Sequence, residues 1–217
     1  EDVEALQAAG LTVWVQFPTT VREALNVLWA TIRVFEAPQR GHSLAALERS
    51  YEVASRAAET EPGVTVFCPI WREPAADTGP AEWWMTANRD TYLNDILRIC
   101  GGTNVFAQRD RRYPLAADLD PAKPPDPPQA GRDTRYPRVT PAELAAAAPE
   151  VILLPSEPYP FTEADTSAFS AFSGVPAVRD GRLHLVDGSW LTWPGTRLAQ
   201  ALAELPAILN PTPVFHG

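Results

Sequence analysis

The sequence predicts an α/β protein organised on an open parallel sheet. Short apolar runs near residues 66, 152 and 184 read as buried strands. Helix-patterned sequence separates them, which is the alternation that parallel strands require. Each run then hands over to a stretch rich in aromatic and charged residues, as expected where the strand ends of an open sheet line a ligand crevice.

Composition narrows the function classes. The chain has 217 residues, 45% hydrophobic and 21% charged, the balance of a globular protein with a sizeable core in one domain or two small ones. Its net charge of −9 argues against nucleic acid as a partner, because phosphate binding needs a Lys/Arg surface. No apolar run reaches the roughly 18 residues of a membrane span. The chain opens at Glu1 without a leader-like run, as a processed chain or a piece of a longer one would. Cys68 and Cys100, in no metal-type spacing, are expected as buried thiols. The 23 prolines are about twice the average usage and cluster in one stretch.

Taken in order, Glu1 to Ala9 reads as a short helix closed by Gly10. Leu11 to Phe17 alternates as a strand and ends at Pro18. Thr20-Val21-Arg22-Glu23 is a capping box, and Val21, Leu25, Leu28, Ile32 and Phe35 recur at helical spacing behind it. Pro38 to Gly41 breaks that helix. Ser43 is then placed to cap a second one, from Leu44 to about Thr60, with Leu44, Leu47, Tyr51, Ala54 and Ala58 on one side and Pro62-Gly63 at its end. Two helices in succession read as a connection between α/β units.

The strand from Val64 follows and delivers Trp71-Arg72-Glu73-Pro74. A loop of small residues leads on to Glu82-Trp83-Trp84-Met85-Thr86. Asp90 is placed to cap a helix over Thr91–Ile99, closed by Gly101-Gly102. Residues 108–135 are polar and proline-laden, a surface insertion of extended character. Thr140-Pro141-Ala142-Glu143 starts the next helix, with a cap, a proline at the first position and a carboxylate at the third. Val151 to Leu154 is a buried strand delivering Ser156-Glu157-Pro158-Tyr159-Pro160-Phe161. A helix near Thr162–Phe172, a short extended piece at Val175–Val178 and a strand at Arg182–Val186 follow. That strand delivers Asp187 to Trp193. The last helix begins near Thr196 and reaches at least Leu205, where Pro206 is expected to kink or end it before a proline-broken tail.

If the three strands are parallel, their loops share one edge of the sheet. The side chains pooled there are Trp71, Arg72, Glu73, Trp84, Glu157, Tyr159, Phe161, Trp190, Trp193 and Arg197. Aromatic walls with a few charges suit a large, flat, partly polar organic ligand, although any one tryptophan can equally be half-buried packing. Catalytic readings are weaker. Ser156 and Ser189 lie outside any G-x-S-x-G turn. His42, His184 and His216 fall in a helix lead-in, a strand and a tail, and His184 reads as a satisfied strand histidine. No H-E-x-x-H, paired-cysteine or Asp-rich loop argues for a protein-ligated metal. Glu73 and Glu157, two carboxylates that could meet at the sheet edge, keep a hydrolase or redox enzyme open as an alternative. A lobe binding a protein partner through exposed aromatics is a third reading.

These residues resemble a known family, the substrate-binding proteins of bacterial ABC importers for cobalamin, haem and ferric siderophores, the helical-backbone group. The resemblance rests on Phe67 to Pro74, Met85-Thr86 to Tyr92, Gly101 to Phe106, Tyr136 to Val139, Leu153 to Phe161 and Asp187 to Arg197, in that order. It is nearest to the cobalamin branch and spans roughly residues 1–210. The resemblance implies two Rossmann-like lobes joined by a long helix, with ligand clamped between them. Residues 1–36 match only the last part of an N-terminal lobe, 37–63 the linker and backbone helix, and 64–217 the C-terminal lobe. The family's earlier strands and export signal have no match, and the insertion at 108–135 is longer than usual. Carried over, Trp71 and Trp190 are ligand-wall aromatics, Arg197 a cleft arginine and Glu143 the carboxylate that docks on a membrane permease. The implied protein is a monomeric, non-enzymatic, periplasmic or lipid-anchored receptor without a resident cofactor, its ligand a corrinoid (cobalamin) or iron chelate.

Overall fold

The computed structural model describes residues 2–60, 63–75 and 82–210. The expectations for Glu1, Pro62, the small-residue loop at 76–81 and the tail with His216 lie outside the described residues.

The chain begins with α1 (Asp2–Ala8), whose end is closed where the Gly10 amide donates to the Gln7 carbonyl at 2.9 Å. α2 (Val21–Val34) and, after a single 3-10 turn at Pro38–Arg40, α3 (Gly41–Thr60) follow. Next come β1 (Val64–Phe67), β2 (Trp71–Glu73), β3 (Trp83–Met85), α4 (Tyr92–Ile99) and β4 (Gly102–Asn104). The middle of the chain holds α5 (Leu115–Leu119), β5 (Arg138–Val139), α6 (Pro141–Ala147) and β6 (Val151–Pro155). It closes with α7 (Glu163–Thr166), a 3-10 segment at Ser167–Phe172, α8 (Pro176–Arg179), β7 (Leu183–Val186), α9 (Ser189–Thr192) and α10 (Leu198–Leu209).

Four strands form a parallel sheet in the order β4-β1-β6-β7. Side chains alternate across it, as the two-residue period of a strand demands. Val66, Val151 and Leu153 enter one core with Leu93, Ile96 and Leu97 of α4 and with Leu198, Ala201 and Leu205 of α10. Phe67, Ile152 and Leu154 enter a second core, on the other face, with Leu144, Phe169 and Ala177. A sheet buried on both faces leaves its strand ends and edges for solvent and ligand. The first core also takes Val21, Ala24 and Leu25 of α2 and Leu44 and Tyr51 of α3, so it runs across the expected segments 1–36, 37–63 and 64–217. A long-range contact ties the start of α2 to α4, where the Val21 amide donates to Asp95 at 2.8 Å. A carboxylate at that point complements the positive end of the helix.

Several local expectations are corrected. Leu11–Phe17 is not a strand. A strand needs a neighbour for its backbone groups, and neither sheet supplies one among the described residues. The capping box at Thr20 is half made: Thr20 Oγ1 accepts the Glu23 amide, but the Glu23 carboxylate reaches back to the amide and hydroxyl of Thr19 at 2.7 and 3.0 Å. α3 begins at Gly41, with Ser43 inside it, because the 3-10 turn already presets the helical direction. Thr91, not Asp90, caps α4 by accepting the Asn94 amide. Gly101 adopts φ +89° at the end of α4, a conformation that favours glycine. Val175–Val178 is mostly helical, started by Pro176 at the first position. α10 continues through Pro206 to Leu209, because Leu205 and Leu209 both stay buried in the core.

Trp71–Glu73, expected as a loop, and Trp83–Met85, assigned to no element, are strands of a second, antiparallel sheet in the order β2-β3-β5. Trp84 in β3 is 0% exposed, stacked on Phe169 at 5.4 Å and edge-on to Phe67 at 6.3 Å. The insertion at 108–135 is anchored, not free. Asp118 of α5 is fully buried and accepts the amides of Arg112 and Arg138, both at 2.9 Å, and pairs with Arg109 at 3.1 Å. Trp84 fills the core that joins the two sheets. Trp84→Ala is therefore expected to cost about 3–5 kcal/mol in chemical denaturation; a loss below about 1 kcal/mol would remove Trp84 from the core.

Candidate functional site

The loops after β6 and β7 meet at the carboxyl edge of the parallel sheet. The Ser156 amide donates to the Val186 carbonyl at 3.0 Å, and the Gly188 amide donates to Ser156 Oγ at 3.1 Å. Gly188 is buried directly against Glu157. A Cβ there would lie 2.6 Å from both the amide nitrogen and the carbonyl oxygen of Glu157, so only glycine lets the two loops come this close. α9 then turns the chain and Trp193 follows it, 62% exposed.

Two cavities open around this junction. The larger, about 760 Å³, lies between the sheet-edge loops (Ser156, Glu157, Asp187, Ser189) and the N-terminal segment (Gln16, Pro18, Val27), with Trp193 and Arg197 on its rim. The smaller, about 440 Å³, is bounded by Ile70, Met85, Tyr92, Leu93, Tyr136 and Leu191. Glu157 and Trp193 line both. Hydrogen bonding by Ser189, whose amide donates to Asp187 at 2.9 Å, holds the Asp187 carboxyl below its usual range. Arg197 is exposed and donates to Gln200 at 3.1 Å.

Of the residues pooled from the sequence, Glu157, Trp193 and Arg197 come together here. Trp84 and Phe161 do not, since both are core residues with Phe169. Trp190 packs on the first core and lines neither cavity. Trp71 is exposed elsewhere, edge-on to Tyr159 at 5.6 Å, and Tyr159 in turn lies 4.6 Å from Phe161. The antiparallel sheet causes this separation by carrying the end of the opening strand into β2. Arg72 is held by Glu82 at 2.8 Å and Asp165 at 3.0 Å. Burial opposes ionisation of Asp165, but hydrogen bonds from Thr162 and Arg72 hold its carboxyl below the usual range. Glu73 accepts the Trp71 indole N–H at 3.3 Å and lines neither cavity, so it shares no cavity here with Glu157. Glu143 completes its capping box with Thr140 and pairs with Arg109 at 3.1 Å.

His184 is not the satisfied strand histidine expected. Its Nε2 is buried without a partner among the described residues, and burial together with Arg182 lowers its pKa. The wall formed by Gln16, Pro18 and Val27 was missed. Its signal was present: an apolar run, a proline and a helix cap repeat the strand–loop–helix pattern of the other loops.

No family model matches the chain, and no curated protein matches it. Solved structures do. The periplasmic vitamin B12 binding protein of Vibrio cholerae superposes with TM-score 0.65 at 15% identity, over 96% of this chain and 68% of that one. The periplasmic heme-binding protein from Roseiflexus gives 0.64 at 19% identity, over 95% and 70%. The protein of an Fe3+-hydroxamate transport system from Saccharomonospora viridis gives 0.61 at 17%, over 94% and 64%. The fold is that of the two-lobed periplasmic binding proteins. At these identities the likeness is one of fold, and between 64% and 70% of each of the three structures is matched.

Within that periplasmic-binding fold, the loop lock and the thiols yield two predictions. Gly188→Ala should lose about 1–3 kcal/mol by forcing the loops apart, read by urea denaturation; an unchanged midpoint would mean that Glu157 gives way freely. Burial pushes the thiols of Cys68 and Cys100 up to about 12 from 9.0. The neutral thiol is thus favoured in the folded state. Its contribution is fully present below pH 9 and is lost as pH rises from there towards 12. Both thiols should resist Ellman's reagent at pH 8 until denaturant is added; rapid labelling of the native protein would contradict their burial.

Proposed function

We propose that the chain captures a metal-chelate small molecule, a corrinoid or an iron chelate, and hands it to the permease of an ABC importer. The observation that carries this reading is Trp193, an exposed indole that lines two cavities together with Glu157, the larger of them also lined by Gln16 and Pro18. An indole held open to solvent offers a flat apolar face to a macrocycle or chelate at little conformational cost. The fold likeness supports the reading, because structures of the same fold are named for vitamin B12, heme and Fe3+-hydroxamate.

Cleft binding by packing and a few polar groups requires no bond making, so the reading is of a receptor and not an enzyme. An importer's receptor works outside the cytoplasm, in the periplasm or on the cell surface. Among the described residues no helix is long and apolar enough to cross a membrane. Glu143 is the docking carboxylate in this reading. Its side chain is 35% exposed, and a permease arginine would compete with Arg109 for it.

Calorimetric titration with cyanocobalamin and with hemin tests the reading. Trp193→Ala should weaken binding of the chelate that binds about tenfold or more, the loss of a central aromatic contact. Trp71→Ala should leave it within about twofold, since Trp71 lines neither cavity. Equal losses in the two variants would reject the cleft.

A further inference from the structure

We propose that Glu157 sets the charge of the ligand, selecting chelates that present amide or ammonium donors over chelates that present carboxylates or catecholates. This rests on the chelate-binding reading above and goes further by naming the chemical class.

Glu157 is half-buried at the junction of the two cavities, and its carboxylate makes no hydrogen bond or ion pair with any described residue. Other sheltered carboxylates of the chain are partnered: Asp118 by Arg109, Asp165 by Arg72 and Asp95 by Arg98. A carboxylate without a partner keeps its acceptor oxygens open to a bound donor. Asp187 adds a second negative charge to the larger cavity, offset in part by Arg197, whose charge helps hold the Asp187 carboxyl low, so that Glu157 is the carboxylate left uncompensated. The one cation among the lining residues, Arg197, lies exposed on the rim and is turned to Gln200. The smaller cavity, walled by Ile70, Met85, Leu93 and the rings of Tyr92 and Tyr136, sheds water when it is filled. Coulomb interactions with Glu157 strengthen there, favourably for a donor and unfavourably for a second anion.

The decisive experiment compares three probes by quenching of tryptophan fluorescence: ferrioxamine B, which carries an ammonium; cyanocobalamin, which carries amides; and hemin, which carries carboxylates. Wild-type protein should bind one or both of the first two more tightly than hemin. Glu157→Gln, a substitution of the same shape, should weaken ferrioxamine B about tenfold, the range of a charged hydrogen bond, and should strengthen hemin. A purely structural role would move both in the same direction. Raising salt on wild-type protein should likewise weaken the cation and strengthen the anion, a check that needs no variant. Tightest binding of hemin, abolished by Trp193→Ala and unmoved or weakened by Glu157→Gln, would overturn the charge selection while leaving the chelate reading intact. Failure of all three probes to bind would overturn both.

Discussion

The arrangement of the candidate site depends on one close approach, Gly188 against the backbone of Glu157. Two parallel strands fix only where their loops begin. The loops become a surface when they are joined to each other, and here Ser156 joins them, its amide donating to Val186 and its hydroxyl accepting from Gly188. With no side chain at 188, the second loop passes directly over the first and α9 starts at once. Trp193 is thereby presented beside Glu157 in place of facing away from it. The indole and the carboxylate are held by backbone geometry more than by their own contacts, which leaves both free to meet a ligand.

The two-sided burial of the sheet explains why the site lies at the strand ends. Both faces are covered, one by α4 and α10 and the other by α6, α8 and the antiparallel sheet. Concave space is left at the carboxyl edge, where the loops rise above the layers. The N-terminal segment closes that space from the opposite side. Its placement follows from α2, whose Val21, Ala24 and Leu25 are buried in the same core and whose first amide is held by Asp95. Contacts far from the cavity thus decide where Gln16 and Pro18 stand.

Much of the fold was legible because the strongest signals are local. The apolar runs at 64–67, 151–155 and 183–186, the caps at Thr20 and Thr140 and the glycine after α4 all name their elements without tertiary help. The failures share one cause, which is that pairing is not local. Leu11–Phe17 has the alternation of a strand but no neighbour, and remains irregular. Trp71–Glu73 and Trp83–Met85 have the look of a charged, aromatic loop, and become strands by pairing with each other and with Arg138–Val139. The site was legible in the same measure. Glu157 follows β6 directly, Trp193 and Arg197 lie in the stretch between β7 and α10, and composition found all three. Trp84 and Trp71 were displaced by a sheet that no periodicity announced.

That displacement gives the tryptophans of this chain two separate duties. Trp83 and Trp84 are buried and their indole N–H groups have no partner among the described residues, so they serve packing at a polar cost. Trp193 has the reverse balance. It buries little in the described structure, and the energy its large apolar face can supply is still available to a ligand. A buried aromatic core and an exposed indole thus divide packing from surface presentation. In the receptor reading proposed above, affinity would depend on what the ligand brings to Trp193 and to the unpartnered carboxylate of Glu157. Trp84 packs where the two sheets join, while the indole of Trp193 and the carboxylate of Glu157 stand at the strand ends.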